Sequence, residues 1–287
     1  MDVFLIVTTF VVLITWYAFY IERYRLVVRK KTVKLHQLPA GLNGLSILHL
    51  SDLHLKNGNY RIIKMIKKFE KLNPDLILIT GDFVDFDNNI EFCAECLGKL
   101  KVKKGIFGVF GNHDYFRYTI LDTILRNKTT SRLNDYARMA EVLNNKGISI
   151  ITNSHKYINI NGQDICIIGV GERGSRPYDM ARALPSVENN SFKILICHYP
   201  DVIFDPDISK VDLVLAGHTH GGQIRLPIFG ALVNWSKLPL KYASGLSRHN
   251  GIILHVSPGF GTASLPLRFL CKPEATLLEL SRADCRF

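Results

Sequence analysis

From Val3 to Ile21 the chain is apolar at almost every position, Thr8, Thr9 and Thr15 being the exceptions, and it then turns abruptly basic at Arg23, Arg25, Arg29, Lys30, Lys31 and Lys34. A helix that crosses a bilayer needs about 20 such residues, and Trp16, Tyr17 and Tyr20 suit the membrane–water interface at its end. Only Met1 and Asp2 precede the run, so the basic leader and small-residue cleavage site of a signal peptide are missing. The pattern predicts a transmembrane anchor over residues 1–22, and the positive charge after it places the rest of the chain in the cytoplasm.

Beyond the anchor the hydrophobic period changes. Residues 23–44 alternate apolar and basic positions (Leu26, Val28, Val33, Leu35) and read as a basic hairpin or connector closed by a turn at Pro39–Gly44. Leu45–Leu50, Asp75–Thr80 and Gly105–Phe110 are short apolar runs with the length of buried strands. Between them, Tyr60–Leu72 and Ile90–Leu100 carry helical spacing, the first with a basic outer face and a stop at Asn73-Pro74. Helices are further expected over Tyr118–Asn127, Leu133–Lys146 and Tyr178–Leu184, and strands near Ile148–Thr152, Lys156–Ile160, Asp164–Val170, Phe192–Cys197 and Asp212–Ala216. Asn161-Gly162 predicts a hairpin. Gly251–Val256 and Glu274–Leu280 read as a second group of strands. Alternating strands and helices argue for an α/β fold with ligands at the carboxyl ends of the strands.

Composition narrows the class. With 47% hydrophobic and 21% charged residues over 287 positions, the chain is globular, and disorder is excluded. A net charge of +11 suits anionic partners such as phospholipid headgroups or nucleotides. The basic helix at 61–71 lacks interleaved aromatic residues and any nucleic-acid motif, so no nucleic acid is expected as a partner. The six cysteines are scattered, with Cys166 and Cys197 inside apolar runs, which fits buried thiols in a reducing compartment. Cys93 and Cys96 form a lone C-x-x-C without a second pair, the spacing of one helical turn.

The candidate chemistry lies where the apolar runs end: Asp52-Leu53-His54, Gly81-Asp82, Gly111-Asn112-His113-Asp114, His198, and Gly217-His218-Thr219-His220-Gly221-Gly222. Asp52, His54, Asp82, Asn112, His198, His218 and His220 offer oxygen and nitrogen donors and no thiolate, a set that suits Mn, Fe, Zn or Co. They are too many for one ion. With one carboxylate bridging, they fill most of two coordination shells, the arrangement of two-metal hydrolases. Structural roles are expected for His49, His155, His249 and His255.

D-x-H, G-D, G-N-H-D, a lone histidine after a strand and G-H-x-H, in this order, resemble the calcineurin-like metallophosphoesterases over nearly all of residues 45–280. The resemblance implies a four-layer αββα sandwich of two mixed sheets over residues 45–287. It also implies two divalent ions, Mn foremost, with Asp52, His54 and His220 on the first, Asn112, His198 and His218 on the second, and Asp82 bridging. His113 would contact phosphate or protonate the leaving group, and Asp114 would orient its ring. Attack would come from a hydroxide held by the metals.

Gly221–Pro227, Tyr242–Leu246 and Pro266–Phe269 resemble the membrane-associated bacterial subgroup, which includes phosphodiesterases and a UDP-diacylglucosamine pyrophosphatase of lipid A synthesis. That likeness implies an inner-membrane, single-pass enzyme cleaving a phosphodiester or pyrophosphate bond in a lipid-linked nucleotide such as UDP-2,3-diacylglucosamine. A general phosphodiesterase on nucleotides or envelope phosphodiesters is the alternative within the enzyme class, and a non-catalytic metal-bound membrane scaffold the alternative outside it. The intact His113-Asp114 pair argues against the scaffold. Arg173, Arg176, Arg225 and Arg268 are candidate phosphate contacts, because guanidinium forks match phosphate oxygens. Leu226, Pro227, Ile228, Phe229, Leu232 and Trp235 are expected to be core, with a lipid-facing loop as the alternative. A reporter fused to the C-terminus should be active in the cytoplasm; strong periplasmic activity would reverse the predicted orientation.

Overall fold

A computed structural model describes residues 3–58, 60–118, 132–171, 178–185, 191–262 and 265–283. Its frame is a pair of six-stranded mixed sheets. The first contains β1 (Val27–Leu35), β2 (Ser46–Leu50), β3 (Leu76–Thr80), β4 (Ile106–Val109) and β5 (Ile148–Ile150), together with the C-terminal β12 (Glu274–Arg282), in the order β1-β12-β2-β3-β4-β5. The second contains β6 (Ser154–Ile160), β7 (Gln163–Gly169), β8 (Phe192–Ile196), β9 (Leu213–Ala216), β10 (Gly245–His249) and β11 (Ile252–Val256), in the order β10-β11-β9-β8-β7-β6. Strands β2 to β5 run parallel, as do β7, β8, β9 and β11, so the loops after them collect at common edges.

The central strands are apolar on both faces, and this is why they read as unbroken hydrophobic runs. Ile47, Leu76, Leu78 and Val109 from one sheet meet Ile167, Ile194, Ile196 and Leu215 from the other in the core between them. Leu48, Leu50, Ile77 and Ile79 point the opposite way, against α2 (Tyr60–Ile66), α3 (Ile90–Gly98) and α4 (Tyr136–Asn145). Behind the second sheet the outer layer is thinner: a single turn at Met180–Ala183 and the 3₁₀ turns Pro200–Phe204 and Pro206–Lys210 cover Ile168, Leu195 and Val214. Two mixed sheets flanked by helices are the architecture that the resemblance implies.

The helices end where local chemistry stops them. Asp135 caps α4 by accepting from the Arg138 N–H at 3.0 Å, so the helix starts after Asp135 and not at Leu133. Gly147, at φ +82, closes it. Helix α2 gives way to a 3₁₀ turn at Phe69–Lys71, the tightened last turn common at helix ends. Asn161 and Gly162 both take positive φ and join β6 to β7 in the expected hairpin. The helix expected at 118–127 falls almost wholly outside the described residues.

Two expectations for the first sheet are corrected. Residues 24–38 do not fold back as a hairpin: Val27–Leu35 is one strand, with no turn residue inside it, and it pairs in parallel with β12 along its whole length. β12 in turn lies antiparallel to β2, so the C-terminal strand joins the first sheet and not the second group of strands. Arg29 pairs with Glu274 at 2.8 Å across the β1–β12 ladder.

Helix α1 (Val3–Tyr20) is long and apolar enough to cross a membrane and leaves nearly all its side chains exposed, Ala18 being buried. Its end is tied to the domain. The Arg268 N–H donates to the Ala18 carbonyl at 3.2 Å, Arg23 Nη1 to the Pro266 carbonyl at 2.6 Å, Arg61 Nη1 to the Tyr20 carbonyl at 2.9 Å, and the Cys271 N–H to Glu22 Oε1 at 2.7 Å.

His49 on β2 and His255 on β11 are fully buried and meet across the inter-sheet core, Nδ1 to Nδ1 at 2.8 Å, while His49 Nε2 reaches Thr80 Oγ1 at 2.9 Å. Burial lowers the His49 pKa to about 3, and burial with the neighbouring His49 lowers His255. Because both stay neutral in the fold while the unfolded chain takes up protons below its ordinary histidine pKa, stability is full above about pH 6.5 and falls as the pH drops toward 3. Each such histidine adds a slope of about 1.4 kcal/mol per pH unit in that window. Urea unfolding between pH 7.5 and 5.5 should therefore show a shallower pH slope in His49→Asn/His255→Asn than in the wild type; equal slopes would remove the pair from the acid response.

Candidate functional site

The seven expected ligands and His113 all lie in the turns immediately after strands. Asp52 and His54 follow β2, Asp82 follows β3, Asn112 and His113 follow β4, His198 follows β8, and His218 and His220 follow β9. Parallel strands from both sheets end at one edge, and their loops converge there. The loops are also bent hard. Asp52, His54, Asp82, His218 and His220 all have φ between +43 and +69, a region that costs a non-glycine residue about 1–3 kcal/mol. Five strained residues at one place turn five polar side chains inward.

Glycines make the convergence possible. A Cβ on Gly111 would lie 2.3 Å from Asp82 Oδ1, and one on Gly217 would lie 1.8 Å from Ser51 Oγ. The backbone at each position passes against the neighbouring loop, with no room for a side chain.

The polar atoms form two adjoining groups. Asp52, His54, Asp82 and His220 each place one oxygen or nitrogen within 4.8 Å of the others. Asn112 Oδ1 lies 3.0 Å from His198 Nε2 and 3.1 Å from His218 Nδ1, and the two ring nitrogens are 3.1 Å apart. Asp82 Oδ2 belongs to both groups, 3.6 Å from His54 Nε2 and 3.3 Å from His198 Nε2. His220 Nε2 is 3.3 Å from Asp52 Oδ1.

Surrounding contacts fix which ring nitrogen faces inward. His198 Nδ1 donates to the Thr80 carbonyl at 2.7 Å, which leaves Nε2 for the site. Asp85 Oδ1 holds His54 Nδ1 at 2.6 Å, and His54 Nε2, deeply buried, has no hydrogen-bond partner among the described residues. An imidazole nitrogen held inward without a partner, beside two carboxylates, is a vacancy in hydrogen bonding that a cation would fill. The donor set fits a divalent metal.

The electrostatics agree. Burial alone would lower the His198 pKa, yet the carboxylates of Asp82 and Asp52 push it up to about 10. Burial would raise Asp82, but His198, His113 and His54 hold it well below the ordinary carboxylate range. His218 and His220 are kept neutral by burial and by the neighbouring histidines. The site attracts positive charge strongly enough to hold a proton on His198, and a divalent ion would displace that proton.

Asp85 is a residue that the sequence reading missed. It accepts from the His113 ring at Nδ1, 3.1 Å away, as well as from His54, and Lys56 Nζ meets its other oxygen at 3.1 Å. Its position three residues after Asp82 on the same loop was the available signal. Asp114, expected to orient the His113 ring, is fully buried and does other work: Oδ1 accepts from the N–H groups of Phe83 and Val84, and Oδ2 from Gly111. It braces the loops after β3 and β4 against each other.

The arginines divide in the same way. Arg268 has no exposed surface and cannot meet a substrate. Its guanidinium donates to the carbonyls of Pro258, Gly261 and Cys271 and reaches the His220 carbonyl at 3.4 Å, a strut under the G-H-x-H loop. Arg225 is half-buried and donates to the Gly221 carbonyl and Ser244 Oγ. Arg173 and Arg176 lie outside the described residues. A cavity of about 580 Å³ lined by Lys56, Phe86, Asp87, Asn88, Asn89 and Arg117 shares Lys56 with the site.

The family model for calcineurin-like phosphoesterases matches residues 45–222. Over 260 residues the chain is 32% identical to the uncharacterized metallophosphoesterase YkoQ of Bacillus subtilis, covering 88% of this chain and 90% of that protein. It is 30% identical over 243 residues to the phosphodiesterase YaeI of Escherichia coli, covering 82% and 81%. A transmembrane protein with metallophosphoesterase domain from Danio rerio is 30% identical over 271 residues, 88% of this chain and 56% of its own length.

Asp85→Ala should lower metal affinity or turnover by about 10- to 100-fold, as loss of a residue supporting a metal ligand does, with little change in unfolding temperature. Asp114→Ala should do the reverse. It leaves three buried N–H groups without an acceptor, which costs about 3 kcal/mol or more, and thermal unfolding with and without added metal separates the two.

Proposed function

The chain belongs to the calcineurin-like phosphoesterases, and from that premise we propose that it is a membrane-anchored dinuclear-metal hydrolase of lipid-linked phosphodiesters or pyrophosphates. Asp52, His54 and His220 would hold one ion and Asn112, His198 and His218 the other, with Asp82 shared between the two groups. The oxygen and nitrogen donors suit Mn, Fe, Zn or Co, with Mn foremost by the family resemblance. When bound, the pair would supply the Lewis acidity that brings a water's pKa near neutrality and offsets charge on the phosphoryl oxygens.

The protein's own groups do the rest. Asp85 holds His113 by Nδ1 and so leaves Nε2 free to protonate the departing oxygen, within the reach that general acid catalysis needs. Lys56 and Arg117 line the adjoining cavity, and their charges suit an anionic part of the substrate such as a nucleotide. Asp52 accepts from the His218 N–H at 3.1 Å, tying the two ligand loops of the opposed sheets together before any substrate arrives.

The observation that carries the lipid-linked reading is that α1 and the site share their supports. Arg268 takes the Ala18 carbonyl with its backbone and the loop of His220 with its side chain. Cys271 takes Glu22 with its backbone N–H, and its thiol donates to the His220 carbonyl at 3.3 Å. A helix spanning the bilayer would hold the site beside the headgroups, where an amphiphilic phosphoester is concentrated. The basic residues after α1 favour the cytoplasmic side of the inner membrane. UDP-2,3-diacylglucosamine is the favoured form of the substrate.

The test is hydrolysis by the detergent-solubilised chain of UDP-2,3-diacylglucosamine beside bis-p-nitrophenyl phosphate. A chelator should abolish turnover and Mn restore it. Asp82→Ala should lose activity on both compounds. His113→Ala should cost about 10²- to 10⁴-fold where the leaving group needs a proton and far less on the nitrophenyl ester, whose leaving group does not. Turnover of the generic diester alone would retain the phosphodiesterase and discard the lipid-linked nucleotide.

A further inference from the structure

The stretch after the G-H-x-H loop is not core. Arg225–Leu226 and Gly230–Ala231 pair as a short antiparallel hairpin with Pro227-Ile228-Phe229 at its tip. Ile228 is fully exposed and Phe229 is 80% exposed, and Leu226, Leu232, Val233 and Trp235 are exposed beside them. Ile228 also stands at φ +70, a conformation that a β-branched side chain adopts only at a cost. An Asn or Gly would relieve both the strain and the exposure. A tip that keeps isoleucine and phenylalanine in these conditions is built to touch something apolar.

What it touches follows from where the hairpin is rooted. Gln223 and Arg225 hydrogen-bond on either side of Phe269, through the Phe269 N–H to the Gln223 carbonyl at 3.0 Å and the Arg225 N–H to the Phe269 carbonyl at 2.9 Å. The next residues along that strand, Arg268 and Pro266, are the ones that grip the end of α1. The apolar tip and the apolar helix therefore leave the domain from one block of backbone. Arg25 just after α1, and Lys237 and Lys241 just after the apolar segment, are exposed cations of the kind that anionic headgroups attract.

We propose that the Leu226–Trp235 segment is a lipid-docking surface that enters the headgroup–acyl boundary of an anionic bilayer beside the exit of α1. The inference rests on the reading of α1 as a membrane helix. Docking would act close to the site, because Arg225 at the root of the hairpin donates to the Gly221 carbonyl of the G-H-x-H loop. The hairpin would hold the domain at a fixed tilt, with the ligand loops toward the lipid.

The two tryptophans make the test selective, since Trp16 lies in α1 and Trp235 in the apolar segment. The full chain is reconstituted into vesicles of phosphatidylcholine and phosphatidylglycerol with brominated acyl chains, which quench tryptophan on contact. Trp235→Phe reports α1 through Trp16. Trp16→Phe reports the segment through Trp235, and Trp16→Phe/Trp235→Phe/Phe229→Trp reports the tip. Lys156→Trp in the same tryptophan-free background reports β6 at the far edge of the second sheet. Quenching of Trp16, Trp235 and the tip, with position 156 unquenched, is the expected result. Quenched Trp16 with an unquenched tip would overturn the docking surface and leave the membrane helix standing. An unquenched Trp16 with a quenched tip would discard the spanning helix and keep the docking surface. If the tip stays unquenched and Ile228→Asp/Phe229→Asp converts a detergent-solubilised dimer to a monomer, the surface belongs to a second copy of the chain and the proposal falls.

Discussion

Two buried carboxylates and four histidines within a few ångströms of one another form an arrangement that no protein tolerates for packing reasons alone. Desolvation penalises each charge, and the partial relief available inside the protein comes from the pull of the carboxylates on protons at His198 and His54 and from backbone N–H groups donated to Asp82 and Asp52. The rest of the molecule is arranged around enforcing that convergence. Parallel strands from two sheets end at one edge, five residues adopt left-handed backbone, and glycines stand where loops cross too closely to admit a Cβ. A cation converts this unfavourable cluster into a set of bonds, which is why the strain persists.

The supports beneath the cluster are as specific as the ligands. Arg268 is a fully buried cation satisfied almost wholly by backbone carbonyls, and these carbonyls come from the loops that carry His220 and Gly259. Asp114 performs the converse service with backbone N–H groups from the loops after β3 and β4. One buried carboxyl group and one buried guanidinium, neither of them at the reacting centre, brace the two sides of the site.

These supports mark the limit of what the chain discloses by itself. The ligand loops were legible because each places a polar residue directly after an apolar run, a local signal. The β1–β12 pairing was not, because it joins the two ends of the chain and leaves no periodic trace within either. Asp114 and Arg268 were assigned to the chemistry because their residue types suit it; only burial and hydrogen-bond partners separate a brace from a contact. Asp85 was passed over for the opposite reason, since one more carboxylate in a loop carries no mark of the two histidines it will hold. The apolar 226–235 segment misled through composition, hydrophobic residues being core far more often than surface.

The parallel pairing of Val27–Leu35 with Glu274–Arg282 also sets the order in which the molecule can be completed. β12 fills the place between β1 and β2, so until residues 274–282 have been made the first sheet lacks its second strand, with β2 presenting an unpaired edge and β1 detached. An anchor inserted at the start of synthesis would hold β1 at the membrane while the remainder of the domain emerged. Folding would then end with the threading of one strand into a waiting slot, a pairing of long sequence range and therefore a slow one. During that interval the exposed edge of β2 is the point most open to capture by another chain.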